Sequence, residues 1–305
     1  MNKLYMMIGL PASGKSTIAK EIAKNEKAVI ISTDTLRQEL LNDVNSQEGN
    51  EIIFKEAEKR LKEHLNANRD IIFDATNINY KKRRDWLNRF NKYNVRKIAI
   101  LVATPYEECV ERNLARSKKV PEEVITRMYQ SFYVPQYFEG FDEIQVRYNS
   151  DYILFFEELK DIEQDNSHHT LTVLKHCEKV SQILHNEYEG HIENFVLSIA
   201  GLLHDIGKLK TKSFKNSKGE ITEEAHFYNH EKVSAYDSLF YSKIRLLLEN
   251  EKSNRQILKI IKLIQWHMIL HFDWEDKTIN KYKRMLGFEC WKYLESIHKA
   301  DCEAR

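Results

Sequence analysis

Apolar residues in the first half of the chain keep two periods in turn. Five short segments, residues 4–8, 27–32, 70–73, 97–102 and 144–148, have the length and apolar content of strands. Between them apolar positions recur every three or four residues, which predicts helices over 16–24, 35–41, 51–66, 81–91, 106–116 and 121–132. Alternation of this kind argues an α/β domain, a mainly parallel sheet with helices on both faces, whose ligands sit beyond the carboxyl ends of the strands. The acidic stretch 152–166, with Glu157, Glu158, Asp161, Glu163 and Asp165, reads as a linker or short connecting helix. Beyond it the strand pattern stops. Val180, Ile183 and Leu184, then Phe195, Val196, Ile199 and Leu203, then Ile260, Ile261, Leu263 and Ile264 keep helical spacing, so an all-α domain is expected. Two domains follow, residues 1–155 and 156–305.

Composition narrows this little. Apolar residues make up 42% and charged residues 30% of the 305, as in a water-soluble globular protein. No run nears the ~18 apolar residues of a membrane span, and the stretch before Gly9 is short for a secretory signal, so no membrane role and a cytoplasmic location are expected. Cys109, Cys177, Cys290 and Cys302 are scattered without a C-x-x-C, which suits reduced thiols. Residues 1–150 hold 25 Lys/Arg against 21 Asp/Glu, and residues 151–305 hold 22 against 25. That imbalance is too mild to imply a nucleic-acid partner, and any such partner must be read from local patches.

Chemistry enters at residues 9–17, Gly-Leu-Pro-Ala-Ser-Gly-Lys-Ser-Thr, which fit G-x-x-x-x-G-K-[ST] between a predicted strand and a predicted helix. Such a loop turns backbone N–H groups toward one point, and the helix N-terminus adds positive potential there. ATP or another NTP is the expected cofactor, held by Gly9, Ala12, Ser13, Gly14, Lys15, Ser16 and Thr17, with Lys15 on the β and γ phosphates and Ser16 on Mg²⁺. The residues after each later strand then matter most. Asp34 is either a general base for an attacking hydroxyl or a helix N-cap. Arg37 is a phosphate clamp or a surface residue. Asp74 can orient Mg²⁺ or cap a turn. The run Lys81, Lys82, Arg83, Arg84 is a solvated face or a phosphate contact, and it opposes the helix dipole. Arg112 and Arg116, at i and i+4, can reach a transferring phosphoryl group.

These residues resemble the 5′-hydroxyl polynucleotide kinases of the phage and bacterial end-healing type. The likeness is carried by residues 9–17, by Thr33, Asp34, Thr35, Leu36, Arg37 and Gln38, by Thr76, Asn77, Ile78 and Asn79 with Arg83 and Trp86, by Val110, Glu111, Arg112 and Asn113 through Val120 and Pro121, and by Arg127, Met128 and Tyr129. The resemblance implies Asp34 as general base, Arg37 on the substrate phosphate beside the reactive hydroxyl, and Arg116 on the transition state. Arg83 joins the expected substrate contacts.

The second half concentrates histidine. His204 and Asp205 end an apolar helix in Leu-Leu-His-Asp-Ile-Gly-Lys, a pair that is either a capped helix end or the start of a mixed N/O metal site. His176 stands before one predicted helix and His267 after another. Together with residues 169–176, 201–208, 226–231 and 266–268, this pattern resembles the HD phosphohydrolase superfamily, particularly the HD domains of tRNA nucleotidyltransferases. The resemblance implies one or two divalent transition-metal ions, with His176, His204, Asp205 and Asp301 holding one and His230 and His267 completing a second. His169 is the alternative to His176 as first ligand. Lys208 pairs with a substrate phosphate or is simply solvated. His168, His185, His191, His271 and His298 are expected to be ordinary surface or core residues.

The combined expectation is a bifunctional enzyme that heals broken RNA or DNA ends. A kinase domain phosphorylates 5′-OH ends, and a metal-dependent phosphoesterase removes 2′,3′-cyclic or terminal phosphates, for an RNA ligase acting downstream. The alternative is a small-metabolite or nucleoside kinase joined to an HD nucleotidase.

Overall fold

A computed structural model describes residues 1–41, 49–155, 162–166, 170–248 and 254–304. The chain forms two compact units, one of Met1–Tyr129 with Pro135–Asp151 and one of Gln130–Val134 with Tyr152–Arg305. The central part of the linker segment, 156–161, lies outside the described residues, as does His169.

The first unit runs β1 (Asn2–Ile8), α1 (Lys15–Glu26), β2 (Val29–Ser32), α2 (Thr33–Leu41), α3 (Asn50–Asn66), β3 (Ile71–Asp74), α4 (Tyr80–Arg89), β4 (Val95–Ala103), α5 (Tyr106–Leu114), α6 (Glu122–Gln130) and β5 (Glu143–Tyr148). All five strands are parallel, in the order β2-β3-β1-β4-β5. The central strands β1 and β4 are almost wholly buried, as expected for a parallel sheet covered on both faces. On one face Tyr5, Met7, Ile72, Ile98, Ile100 and Val102 pack against Ala19, with Ile18, Ile22 and Ala23 around them. Each such apolar side chain stabilises the fold by roughly 1.5–3 kcal/mol on burial, so the sheet is a rigid base for the loops at its carboxyl edge.

The second unit is helical: α7 (Val173–Glu187), α8 (Asn194–Leu203), α9 (Lys208–Thr211), α10 (His230–Asp237), α11 (Ser242–Leu248), α12 (Asn254–Trp266), α13 (Asp276–Leu286) and α14 (Phe288–Glu303). Helix α8 carries buried Val196, Leu197, Ile199, Ala200 and Leu203, and it packs against α7, α12 and α14. One feature departs from the expected all-α pattern. Strands β6 (Ser213–Lys215) and β7 (Ile221–His226) form an antiparallel hairpin. Its strands are short and largely exposed, so no apolar alternation marks them. Its turn is local: the Asn216 side chain accepts from the Lys218 and Glu220 N–H groups, and Gly219 takes φ +85°. No helix among the described residues is long and apolar enough to cross a membrane.

Candidate functional site

In the first unit the loop after β1 opens onto a cleft of about 990 Å³. Gly14 caps α1 at φ +91°, in the left-handed region, and a Cβ there would sit 2.1 Å from Asn149 Nδ2. Ala12, Gly14, Lys15, Ser16 and Thr17 line the cleft. Gly9 and Ser13 shape it from behind. The Gly9 N–H donates to Thr76 O, while Ser13 O accepts from Thr104 Oγ1 and Asn149 Nδ2. Lys15 is buried and donates to Leu10 O at 2.6 Å, and burial lowers its pKa. Asp34 and Arg116 line the same cleft and act on Lys15 electrostatically.

Ser16 Oγ donates to Asp74 Oδ2 at 2.7 Å. A hydroxyl and a buried carboxylate beside the loop lysine fit Mg²⁺ held with a triphosphate. Burial raises the Asp74 pKa, against the Ser16 hydrogen bond and Lys15. Asp34 is the second residue of α2, inside its first turn rather than at its cap. Its side chain is 60% exposed and accepts from Arg37 Nη1 at 3.2 Å. Arg37 Nη2 donates to Asn50 Oδ1 at 2.8 Å, so α3 holds the guanidinium in the cleft wall. Arg112 donates to Glu108 Oε2 and to Asn149 O. The lining carries eight basic side chains (Lys15, Arg37, Lys82, Arg112, Arg116, Lys118, Lys119 and Arg127) against three acidic ones, Asp34, Glu51 and Asp74.

Arg83 is the correction. It does not line the cleft; its guanidinium is fully buried and clasped by Glu139, Nε to Oε2 at 2.6 Å and Nη2 to Oε1 at 2.7 Å. Nη1 donates to Asn77 O. With every edge of the guanidinium taken inside the protein, it is a brace and not a substrate contact. Its neighbour Lys82 faces the cleft. The dipole conflict at the start of α4 is eased by Asn79, whose side chain accepts from the Lys81 and Lys82 N–H groups.

In the second unit, six of the expected ligands meet. His176, placed inside the first turn of α7 rather than before the helix, has Nε2 3.0 Å from Asp301 Oδ1 and 3.5 Å from Asp205 Oδ2. His204 Nε2 lies 3.4 Å from Asp205 Oδ2 and 4.0 Å from Asp301 Oδ1. His230 and His267 address the other oxygen, Asp205 Oδ1, at 3.0 and 3.6 Å. Asp205 thus turns one oxygen to each histidine pair. Two donor groups are close enough to hold an ion, His176 with His204 and Asp301, and His204 with Asp205 and His267.

The second ring nitrogens explain why these donors converge. Nδ1 of His204, His230 and His267 lies 2.7–2.8 Å from the carbonyl three residues earlier, those of Gly201, Phe227 and Ile264. His176 Nδ1 meets Ala304 O at 3.4 Å. A carbonyl only accepts, so each Nδ1 carries a proton and each Nε2 is the nitrogen left facing the centre, where it can bind an ion. Among the described residues His204 Nε2 has no hydrogen-bond partner. This donor set fits divalent metal ions. Gly207 permits the packing: a Cβ there would meet His230 O at 2.3 Å and Ser234 N at 2.6 Å.

Burial opposes charge on Asp205, yet His204, Lys208 and His230 hold its carboxyl well below the usual range. Burial likewise opposes the His204 imidazolium, but Asp205 raises its pKa well above the ordinary value. Burial pushes His267 down to about 4. Lys208 lies inside this centre, with Nζ 2.6 Å from Asp205 Oδ2 and 2.7 Å from Gln164 Oε1. The reading of the sequence missed His271. Its Nε2 stands 2.9 Å from Asp301 Oδ2, the oxygen turned away from His176, and 3.2 Å from His298 Nδ1. The only signal was its place four residues after His267, in the same short 3₁₀ helix.

Residues 4–135 match the AAA-domain family and residues 166–287 the HD-domain family. The first unit is a P-loop kinase domain with a parallel sheet, and the second is a helical HD domain. The chain is 28% identical over 219 residues to an L-seryl-tRNA(Sec) kinase of Methanococcus maripaludis, covering 70% of this chain and 84% of that one. It is similar to a chain in the structure of the Pnkp1/Rnl/Hen1 RNA repair complex, 26% identical with a TM-score of 0.39, over 43% of each chain. It is also similar to Chaetomium thermophilum Kti12 in complex with ADP-AlF3, 19% identical with a TM-score of 0.40, over 48% of this chain and 90% of that one. The chain therefore spans less than half of the repair-complex chain.

Proposed function

We propose that the protein heals nucleic-acid ends with two activities, phosphorylating 5′-OH ends and removing 2′,3′-cyclic or terminal phosphates. The observation that supports this best is the kinase cleft, where the paired Asp34 and Arg37 share with Lys15 a lining that holds eight basic side chains. A triphosphate uses some of that charge; the surplus suits an acceptor that is itself a polyanion. In the transfer, the acceptor oxygen forms a bond to the γ-phosphorus as the bond to the bridging β–γ oxygen breaks. Asp34 takes the acceptor proton, and ADP leaves. Lys15, Arg112 and Arg116 stabilise charge on the moving phosphoryl group, and Ser16 with Asp74 would hold Mg²⁺.

In the HD domain, His176, His204, Asp205 and Asp301 would hold one divalent ion and His230 with His267 a second, Asp205 facing both. Bound ions supply Lewis acidity toward a phosphate oxygen and lower the pKa of water toward ~7. The chain's own part is to fix every Nε2 inward and to keep Lys208 where it meets Asp205 and an incoming phosphate.

The test is direct. Purified protein, Mg²⁺ and labelled ATP are mixed with an RNA bearing a 5′-OH and a 2′,3′-cyclic phosphate, and both ends are analysed. Label at the 5′ end and loss of the cyclic phosphate are expected; neither change, over a range of divalent metals, overturns the reading. A second reading is favoured by the M. maripaludis relative, whose name gives L-seryl-tRNA(Sec) as its substrate: the acceptor hydroxyl is then carried by an aminoacyl group on tRNA. Seryl-tRNA and a free nucleoside as competing acceptors separate this and the small-molecule alternative from the first.

A further inference from the structure

The kinase cleft has one aromatic ring among the described residues that line it. Phe54 lies on α3 four residues after Asn50, so the two share a face of the helix. Asn50 holds Arg37, and Arg37 holds Asp34. The ring therefore belongs to the same wall as the general base. Its aim is set by the core behind it. Phe54 stands edge-on to Phe73 (6.4 Å, 71°) and Trp86 (6.0 Å, 70°), which are themselves stacked at 4.3 Å and 8°. Phe54 stays half-buried at the cleft wall.

The strand order decides which substrate meets this ring. In-line transfer puts donor and acceptor on opposite sides of the moving phosphoryl group. The P-loop follows the central strand β1. Asp34 and Phe54 lie between β2 and β3, on one side of it, and Arg112 and Asn149 follow β4 and β5 on the other. Phe54 is on the side of the attacking hydroxyl.

We propose that Phe54 is the stacking face for the base of the acceptor's terminal nucleotide, so that this kinase reads a nucleoside-bearing end and not a bare polyol or an aminoacyl group. The assignment rests on the phosphotransfer reading above. Lys82, which lines the same cleft from the helix that follows β3, takes the phosphates that follow. Every base has a flat face, so the subsite tolerates all four bases. Contacts of this kind are worth about 5- to 150-fold in affinity.

The experiment compares two 5′-OH oligonucleotides, one complete and one lacking its 5′-terminal base, on the full-length wild type and on Phe54→Ala, Phe54→Leu and Phe54→Trp. In the wild type, loss of the base is expected to raise KM by about 5- to 150-fold with little change in kcat. Phe54→Ala should raise KM for the complete oligonucleotide similarly, add no further loss on the abasic one, and leave ATP affinity within about twofold. Phe54→Trp restores the base dependence. Phe54→Leu keeps the packing and the melting temperature but not the base dependence, which separates stacking from fold support. Equal KM for the two oligonucleotides in the wild type overturns the proposal alone. So do losses from Phe54→Ala and from the abasic end that simply multiply, or a Phe54→Ala effect on ATP affinity. No phosphorylation of either oligonucleotide by a wild type that binds ATP overturns the phosphotransfer reading, and the stacking assignment falls with it.

Discussion

The kinase cleft and the HD centre solve opposite problems. The cleft is open and electrostatically unbalanced, with eight basic and three acidic side chains in its lining and Asp34 well exposed. Its missing negative charge is that of the phosphates it is built to receive. The HD centre is closed and nearly self-paired: two aspartates, four histidines and Lys208 face one another at 2.6–4.0 Å, with each Nδ1 tied to a carbonyl. A site that awaits a polyanion can leave an excess of cations along an open wall, because the ligand itself completes the charge. A site that awaits small ions must fix its donors beforehand, because ligand geometry sets metal affinity.

The contrast breaks most visibly by separate inactivation. Asp34→Ala should lower phosphate transfer to a 5′-OH end by roughly 10²–10⁴-fold while leaving phosphoesterase turnover unchanged; Asp205→Ala should do the reverse. Loss of both activities from either substitution, in protein with a native circular dichroism spectrum, would mean the two sites do not work independently.

Arg83→Ala tests the brace. Leaving the buried Glu139 without its cation should cost about 3–5 kcal/mol of stability, read from urea unfolding of the kinase unit. A substitution that melts like wild type and raises KM for the acceptor would return Arg83 to the substrate.

A smaller effect is expected at His271. His271→Ala should weaken binding of a divalent ion by about 10- to 100-fold, measured by metal titration, with His271→Gln recovering much of it by restoring a donor to Asp301. Asp301→Ala is the reference: if it changes metal binding and His271→Ala does not, the support role is wrong.

The mildest test uses the thiols. Burial pushes the Cys109 pKa up to about 12, and its Sγ meets Thr104 O just behind the P-loop. At pH 8 almost none of it is thiolate, and only a pH near that value would ionise it. Cys302 is exposed, so alkylation of native protein at pH 8 should mark Cys302 and spare Cys109, as mass spectrometry of the peptides would show.

Local information went far in this chain. Short apolar runs and 3.6-residue spacing alternate cleanly enough to mark all five strands and six helices of the first unit, since the central strands are buried on both faces and each helix on one. The P-loop and the His–Asp doublet are short segments whose chemistry depends on adjacent residues, and they could be read without knowing the fold. The β6–β7 hairpin could not be read that way, because its exposed strands bury too little to leave a pattern.

What sequence alone determined here is the order of elements and the types of reactive groups at their ends, because these follow from neighbours along the chain. Tertiary structure decided which side chains face which. Lys82 and Arg83 are adjacent in one basic run, yet a turn of about 100° around α4 sends one to the cleft and the other to Glu139 in the core. His267 and His271 share one short 3₁₀ helix, yet one joins the donors and the other supports Asp301 from behind. Phe54 looks like any core residue of an amphipathic helix until Phe73 and Trp86 hold its ring at the cleft wall. Each of these choices depends on groups between 19 and 62 residues away, on the rotation of one packed helix against another, and no local spacing encodes that.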